Sequence, residues 1–210
     1  MKFFHVQEKA QRVTGKLPAK ALCLICSQSG EGEEKPAGAA SYKGKTYYFC
    51  NTGEIERFLK DPEAFIPAPV PRPAPPFALK TPTGETVTLE SPALRGKLML
   101  VDFWATWCVP CVKAMPELQK LQAKYAGKGF TVIGISLDGE GAKKVVPFLA
   151  KSKTKFTYPI LLNGETIWQA WGVKSVPSVL LVKDGQILKH WSGQIDVKEI
   201  EIKLKETLAL

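Results

Sequence analysis

Residues 66–77 read IPAPVPRPAPPF, six prolines in twelve positions. Proline fixes φ and has no backbone N–H, so this stretch can enter neither a helix interior nor a central strand. It is expected to run as a semi-rigid polyproline spacer. The fold therefore has to be sought twice in the 210-residue chain, once on each side of it. That length suits one medium domain with an accessory module. The division is an extension over 1–20, a small module over 21–66, the spacer over 67–76 and a larger domain over 77–210.

Apolar residues make up 45% of the chain and charged residues 23%, near globular averages, so a packed core is expected. The net charge is +9. Its lysines are scattered, with no run of about five basic residues, so no nucleic-acid partner is expected. A solvated basic surface repels other copies, which suits a monomer. No stretch approaches the ~20 apolar residues of a membrane span. The opening MKFFHVQEKAQRV lacks the apolar run of ~7–15 residues that a secretory signal needs. Two locations stay open: the cytoplasm as written, or an exported state with its signal outside this sequence.

Beyond the spacer, FALKTPTGETVTL (77–89) predicts two short strands around a Thr-Gly turn. LMLVDFW (98–104) and FTVIGISL (130–137) are apolar runs of the kind buried on both faces of a sheet. Helices are predicted after the 103–111 segment, with Pro116 inside the first, over 141–152 and over 164–173. YPILL (158–162) is a candidate short strand. Residues 178–193 read as a hairpin turning at Asp184-Gly185, and VKEIEIKLKETL (197–208) as an amphipathic helix. Strands alternating with helices imply a mixed α/β sheet covered on both faces.

FWATWCVPC (103–111) sets two of the five cysteines three positions apart. They could be half of a zinc site, inert buried thiols, or a dithiol that cycles with a disulfide. Zinc needs a second ligand pair, and neither His5 nor His190 stands in ligand spacing with them. At the end of a buried strand Cys108 would begin a helix, where free N–H groups and the helix dipole favour a thiolate. Its pKa would fall from ~8.5 toward ~7 or below. Cys111 lies one turn on, on the same face, and Pro110 suits the first turn. The redox reading is the favoured one.

VDFWATWCVPC resembles the active-site segment of the thioredoxin superfamily, and the likeness extends over 77–210. The leading strands, the segment between 137 and 164 and the FWATWC wording resemble the TlpA-like thiol–disulfide oxidoreductases. The resemblance implies a thioredoxin-like fold with helices on both sheet faces. It implies a cis bond between Val176 and Pro177, in SVPS, that leaves the Val176 backbone to pair with substrate. Gly193 matches a glycine that keeps the substrate groove open. Asp102 matches the family's buried acid, whose raised pKa would let it take and return the Cys111 proton. Trp107, Val109, Pro110 and Val176 would form the docking surface. Two departures stand out: Ala114 replaces a common glutamate, and Gly134 stands where thioredoxins often place a lysine opposite the acid.

In the first part, Cys23, Cys26 and Cys50 fall within a module too small to bury a sufficient core alone. YKGKTYYFC followed by F…DPEAF resembles YHS or TRASH modules, small treble-clef-like domains tied to metal handling. Glu54 stands where such modules often carry a fourth cysteine. The resemblance implies a site of Cys23, Cys26, Cys50 and Glu54, with zinc the candidate metal. A Cys23–Cys26 disulfide and a relic without ligands are the alternatives.

The expected function is thiol–disulfide exchange on protein disulfides, with an upstream electron donor and no organic cofactor. Two alternatives are carried. One is a peroxiredoxin-like peroxidase, which wants threonine where Ala105 stands. The other is a metal-binding or metallochaperone protein centred on the first module.

Overall fold

The computed structural model describes residues 9–26, 32–66, 68–193 and 195–210, so His5 lies outside the described residues. The chain divides into two units, Met1–Ala68 and Pro69–Leu210. In the first, β1 (Gln11–Arg12), β2 (Gly38–Tyr42) and β3 (Lys45–Phe49) form an antiparallel sheet, followed by α1 (Thr52–Lys60). Phe58 of α1 holds the small core together, its ring meeting those of Tyr42, Tyr47, Phe49 and Phe65. Gly38 permits this packing, because a Cβ there would come within 2.5 Å of Ile55 Cδ1. Asn51 caps α1 by accepting the Glu54 N–H at 2.9 Å. The expected 1–20 extension is partly built into this unit: β1 pairs with β2, and Arg12 forms an ion pair with Glu56.

The second unit contains β4 (Arg72–Pro73), β5 (Ala78–Lys80), β6 (Thr86–Thr88), β7 (Leu98–Trp104), α2 (Val109–Tyr125), β8 (Phe130–Ser136), α3 (Ala142–Lys151), β9 (Ile160–Leu161), β10 (Ser178–Lys183), β11 (Gln186–Ser192) and α4 (Val197–Leu208). Six strands form one mixed sheet in the order β4-β11-β10-β7-β8-β9. The β7–β8 and β8–β9 pairs are parallel, and the others antiparallel. Central β7 and β8 are buried along their whole length, which explains their largely apolar sequences. Leu98, Leu100 and Trp104 share a core with Leu118 and Leu121 of α2, Val145 of α3, and Ile200 and Leu204 of α4. Met99, Val101 and Phe103 face the other way, against Phe77, Leu79, Val87 and Trp171. This is the mixed α/β, thioredoxin-like architecture.

Two expectations are corrected. Residues 164–173 do not form a helix: a single 3-10 turn spans Gly164–Thr166. Beyond it the donors reach back by unequal steps, Trp171 to Ile167, Gly172 to Gln169 and Val173 to Trp168, so no regular ladder develops. The chain turns tightly here to bury Trp171 against Phe77 and Phe103. The proline-rich segment is likewise not a free spacer throughout. Arg72 and Pro73 pair with Ile187 and Gln186 at the edge of the large sheet, where a missing proline N–H is tolerated. The Arg72 guanidinium also donates to the Trp171 carbonyl at 2.6 Å.

Candidate active site

Cys108 caps the N-terminus of α2 and is disulfide-bonded to Cys111, with their Cα atoms 5.3 Å apart. The Cys111 N–H points at Cys108 Sγ from 3.3 Å. That amide and the α2 dipole would hold negative charge on this sulfur once the disulfide is reduced. Both cysteines are buried in the oxidised form, Cys108 being 5% exposed and Cys111 1%. Of the two, the first is the one within reach. Trp107 and Val109 stand out around it, 66% and 62% exposed. Pro110 occupies the first turn of α2.

The Val176-Pro177 peptide is cis, as the resemblance implied. The Gly193 N–H donates to the Pro177 carbonyl at 3.0 Å, and its φ of 85° favours glycine. Ser178 Oγ donates to the Ser175 carbonyl at 2.7 Å and closes the loop. Trp107, Leu137, Trp168 and Val176 line a mainly apolar groove of about 390 Å³, together with Glu165, Lys174 and Ser175.

Asp102 sits in the middle of β7 and is 2% exposed. It lies on the strand face that carries Leu100 and Trp104, which pack in the core containing Cys108 and Cys111. Its in-register neighbours are Gly134 and Val179, neither of which can pair with a charge. Burial raises its pKa from 3.8 to about 7. The acid can therefore exchange a proton near neutrality.

A further network was not foreseen from sequence. Buried Asp138 accepts from the Thr106 N–H at 3.0 Å, from Thr106 Oγ1 at 2.6 Å and from Ser136 Oγ at 2.8 Å. It fixes the loop just ahead of Trp107 and Cys108. The available signal was a serine and an aspartate two positions apart where an apolar strand ends.

In the first unit, Cys23, Cys26 and Cys50 bring their sulfurs within 4.8 Å of one another. Cys26 Sγ is 3.1 Å from Cys50 Sγ, and a Glu54 carboxylate oxygen lies 3.7 Å from Cys23 Sγ and 3.6 Å from Cys50 Sγ. The four residues named from sequence thus meet. Cys23 is carried there by a bridge to Tyr48 and Glu54 by the first turn of α1. The hydrogen bond to Cys50, then desolvation and Cys23, push the Cys26 thiol above the usual range. Cys26 draws the Cys50 thiol down, but desolvation, Cys23 and Glu54 outweigh it and the net shift is upward. Cys23 and Cys26 remain free thiols.

The AhpC/TSA family profile matches residues 70–191. The chain belongs to the AhpC/TSA family. The match includes Cys108 and Cys111 and leaves Cys23 and Cys26 outside, so the motif shared with the family is the one at the start of α2. The thioredoxin-like protein YneN of Bacillus subtilis is 37% identical over 132 residues, 62% of this chain and 76% of that protein. The thiol-disulfide oxidoreductase ResA of Bacillus thuringiensis subsp. konkukian is 33% identical over 134 residues, 63% of this chain and 75% of that one. A solved thiol-disulfide oxidoreductase from Bacteroides fragilis superposes with a TM-score of 0.56 at 29% identity, covering 65% of this chain and 99% of that structure. Within the AhpC/TSA family this chain is a thioredoxin-like thiol–disulfide oxidoreductase. Among the described residues no helix is long and apolar enough to cross a membrane.

Proposed function

We propose that the chain reduces disulfides in partner proteins through Cys108 and Cys111. The observation that carries this reading is the disulfide at the start of α2, ringed by exposed Trp107 and Val109. The Cys108 thiolate attacks one sulfur of the target disulfide. That bond breaks, a mixed disulfide forms, and the departing target sulfur takes a proton from solvent. Cys111 then yields its proton to the Asp102 carboxylate and attacks Cys108 Sγ. The second target sulfur leaves and is protonated from Asp102. Two electrons have passed to the target, and a dithiol donor must restore Cys108 and Cys111. Pro177, Val176, Gly193, Val109 and Pro110 frame the approach of the target backbone. Reductants and oxidants of this chemistry differ widely, from about −270 to about −120 mV, so the direction is testable by potential.

The test is Cys111→Ala, which removes the resolving thiol and leaves the attacking one. It is expected to retain partner proteins as mixed disulfides through Cys108, released by a small dithiol. A Cys111→Ala protein that traps nothing, while Cys108→Ala does, would reverse the two roles.

A second reading concerns the first unit, which we read as a YHS/TRASH-type module holding one zinc ion. A tetrahedral zinc with Zn–S of about 2.3 Å needs ligand atoms about 3.8 Å apart. The two carboxylate contacts of 3.6 and 3.7 Å suit that spacing, while Cys26 and Cys50, 3.1 Å apart, would have to separate to admit the ion. Cys23, Cys26, Cys50 and Glu54 would hold the ion, and its part would be structural. Elemental analysis of protein purified under reducing conditions should give about one zinc per chain.

A further inference from the structure

Gly134 is the in-register partner of Asp102, and its missing side chain leaves a slot beside the acid. The slot is filled from elsewhere. A Cβ on Gly134 would lie 3.3 Å from Tyr158 Cε2, 3.2 Å from Trp104 Nε1 and 2.8 Å from Ile160 Cδ1. The Tyr158 ring therefore rests on the Gly134 backbone, on the sheet face where Asp102 projects, inside the core that contains both redox cysteines. Tyr158 and Trp104 are buried, and so is Asp102. Among the described residues, Tyr158 Oη, Trp104 Nε1 and Asp102 Oδ2 find no hydrogen-bond partner. Buried polar atoms are normally paired, so three orphans on one face of the sheet call for an explanation. They are complementary: two donors and one carboxyl oxygen. The Asp102 charge is felt at the phenol, where it adds to desolvation in raising the Tyr158 pKa. The phenol is neutral while Asp102 titrates, so it acts on the acid as a dipole and a donor.

We propose that Tyr158 is a positioning residue for the proton step: through a water shared with the Trp104 N–H, its hydroxyl stabilises the Asp102 carboxylate that accepts the Cys111 proton. This rests on the reading of Asp102 as the acid–base group. The core on the sheet face of Asp102 holds Cys108 and Cys111 from α2, Tyr158 and Trp104; Gly134 and Val179, its in-register neighbours, do not titrate. The hydroxyl then does what a cation across the strand would do, holding the acid ionisable at neutral pH without placing a charge in the core.

The experiment titrates Asp102 by carbon-13 NMR in the oxidised full-length chain, where the two cysteines cannot ionise. Tyr158→Phe keeps the ring and removes the donor. The Asp102 midpoint is expected to rise by about one pH unit, a roughly tenfold change in ionisation constant. The pH profile of target release should move with it, and Tyr158→Phe should add nothing in an Asp102→Asn background. An unchanged midpoint overturns the proposal. Should Tyr158→Phe not fold, carbon-13 at Cζ of Tyr158 in the unsubstituted protein reads the same coupling. Its resonance must shift as Asp102 titrates, and a flat response overturns the proposal too. If Asp102→Asn leaves turnover intact while the Asp102 midpoint still moves in Tyr158→Phe, the acid–base role fails and the hydroxyl contact stands.

Discussion

Asp102→Asn is expected to slow disulfide turnover about 100-fold near pH 8 while making the oxidised protein more stable. The first effect follows from the usual 10²–10⁴-fold contribution of a positioned acid–base group. Turnover of the unsubstituted protein should rise with pH through about 7, as Asp102 becomes a carboxylate able to accept the Cys111 proton. The substituted protein should lack that inflection. The second effect follows from linkage. Burial raises the Asp102 pKa from 3.8 to about 7, so the folded chain holds this proton more tightly than the unfolded chain. The stabilisation is complete below pH ~4 and lost as pH rises through about 7. Above that, the buried carboxylate costs about 4 kcal/mol relative to acid conditions, from 1.36 kcal/mol per unit. Asparagine carries no such charge. Its advantage in urea midpoint should therefore be large at pH ~8 and vanish near pH ~4. Lower stability of Asp102→Asn at pH ~8, with unchanged turnover, would contradict both arguments.

If the first unit holds the proposed zinc ion, stripping it is expected to unfold that unit and spare the chemistry of the second. Structural zinc sites contribute about 10–16 kcal/mol of apparent binding energy in small modules, far more than the small Tyr42–Phe49–Phe58 core supplies. A chelator should abolish hydrogen-exchange protection at the amides of β2, β3 and α1. Protection in β7 and β8, and reduction of a model disulfide, should persist. Glu54→Ala should weaken zinc retention, whereas Cys50→Ser should prevent it. A first unit that keeps its protection without metal would leave the sulfur cluster another role.

Much of the second unit was legible because local pattern and tertiary environment agree there. LMLVDFW, apolar except for Asp102, becomes β7, Asp184-Gly185 turns the β10–β11 hairpin, and VKEIEIKLKETL becomes α4. The segment GETIWQAWGV misled because its apolar spacing records the burial of Trp171 and Val173, which turns can achieve as well as a helix. The Cys108–Cys111 pair and the burial of Asp102 were readable from a motif and its strand. Tyr158 was not: its relation to Asp102 exists only through the β7–β8 register and the missing side chain at Gly134, whose place its ring takes. Asp138 was hidden likewise, since its three donors come from two separate strand ends.

The short pairing of Arg72 and Pro73 with β11 has a consequence for where the second unit can be cut. Those two residues shield one end of a seven-residue strand, and proline there offers no donor to a newcomer. A fragment begun at Phe77, the boundary suggested by composition, would bare Ile187 and its neighbours as an open border. Such a border recruits strands from other molecules. A fragment begun at Pro69 should stay monomeric at concentrations where the shorter one sediments as higher species, and equal behaviour of the two would show that the prolines guard nothing.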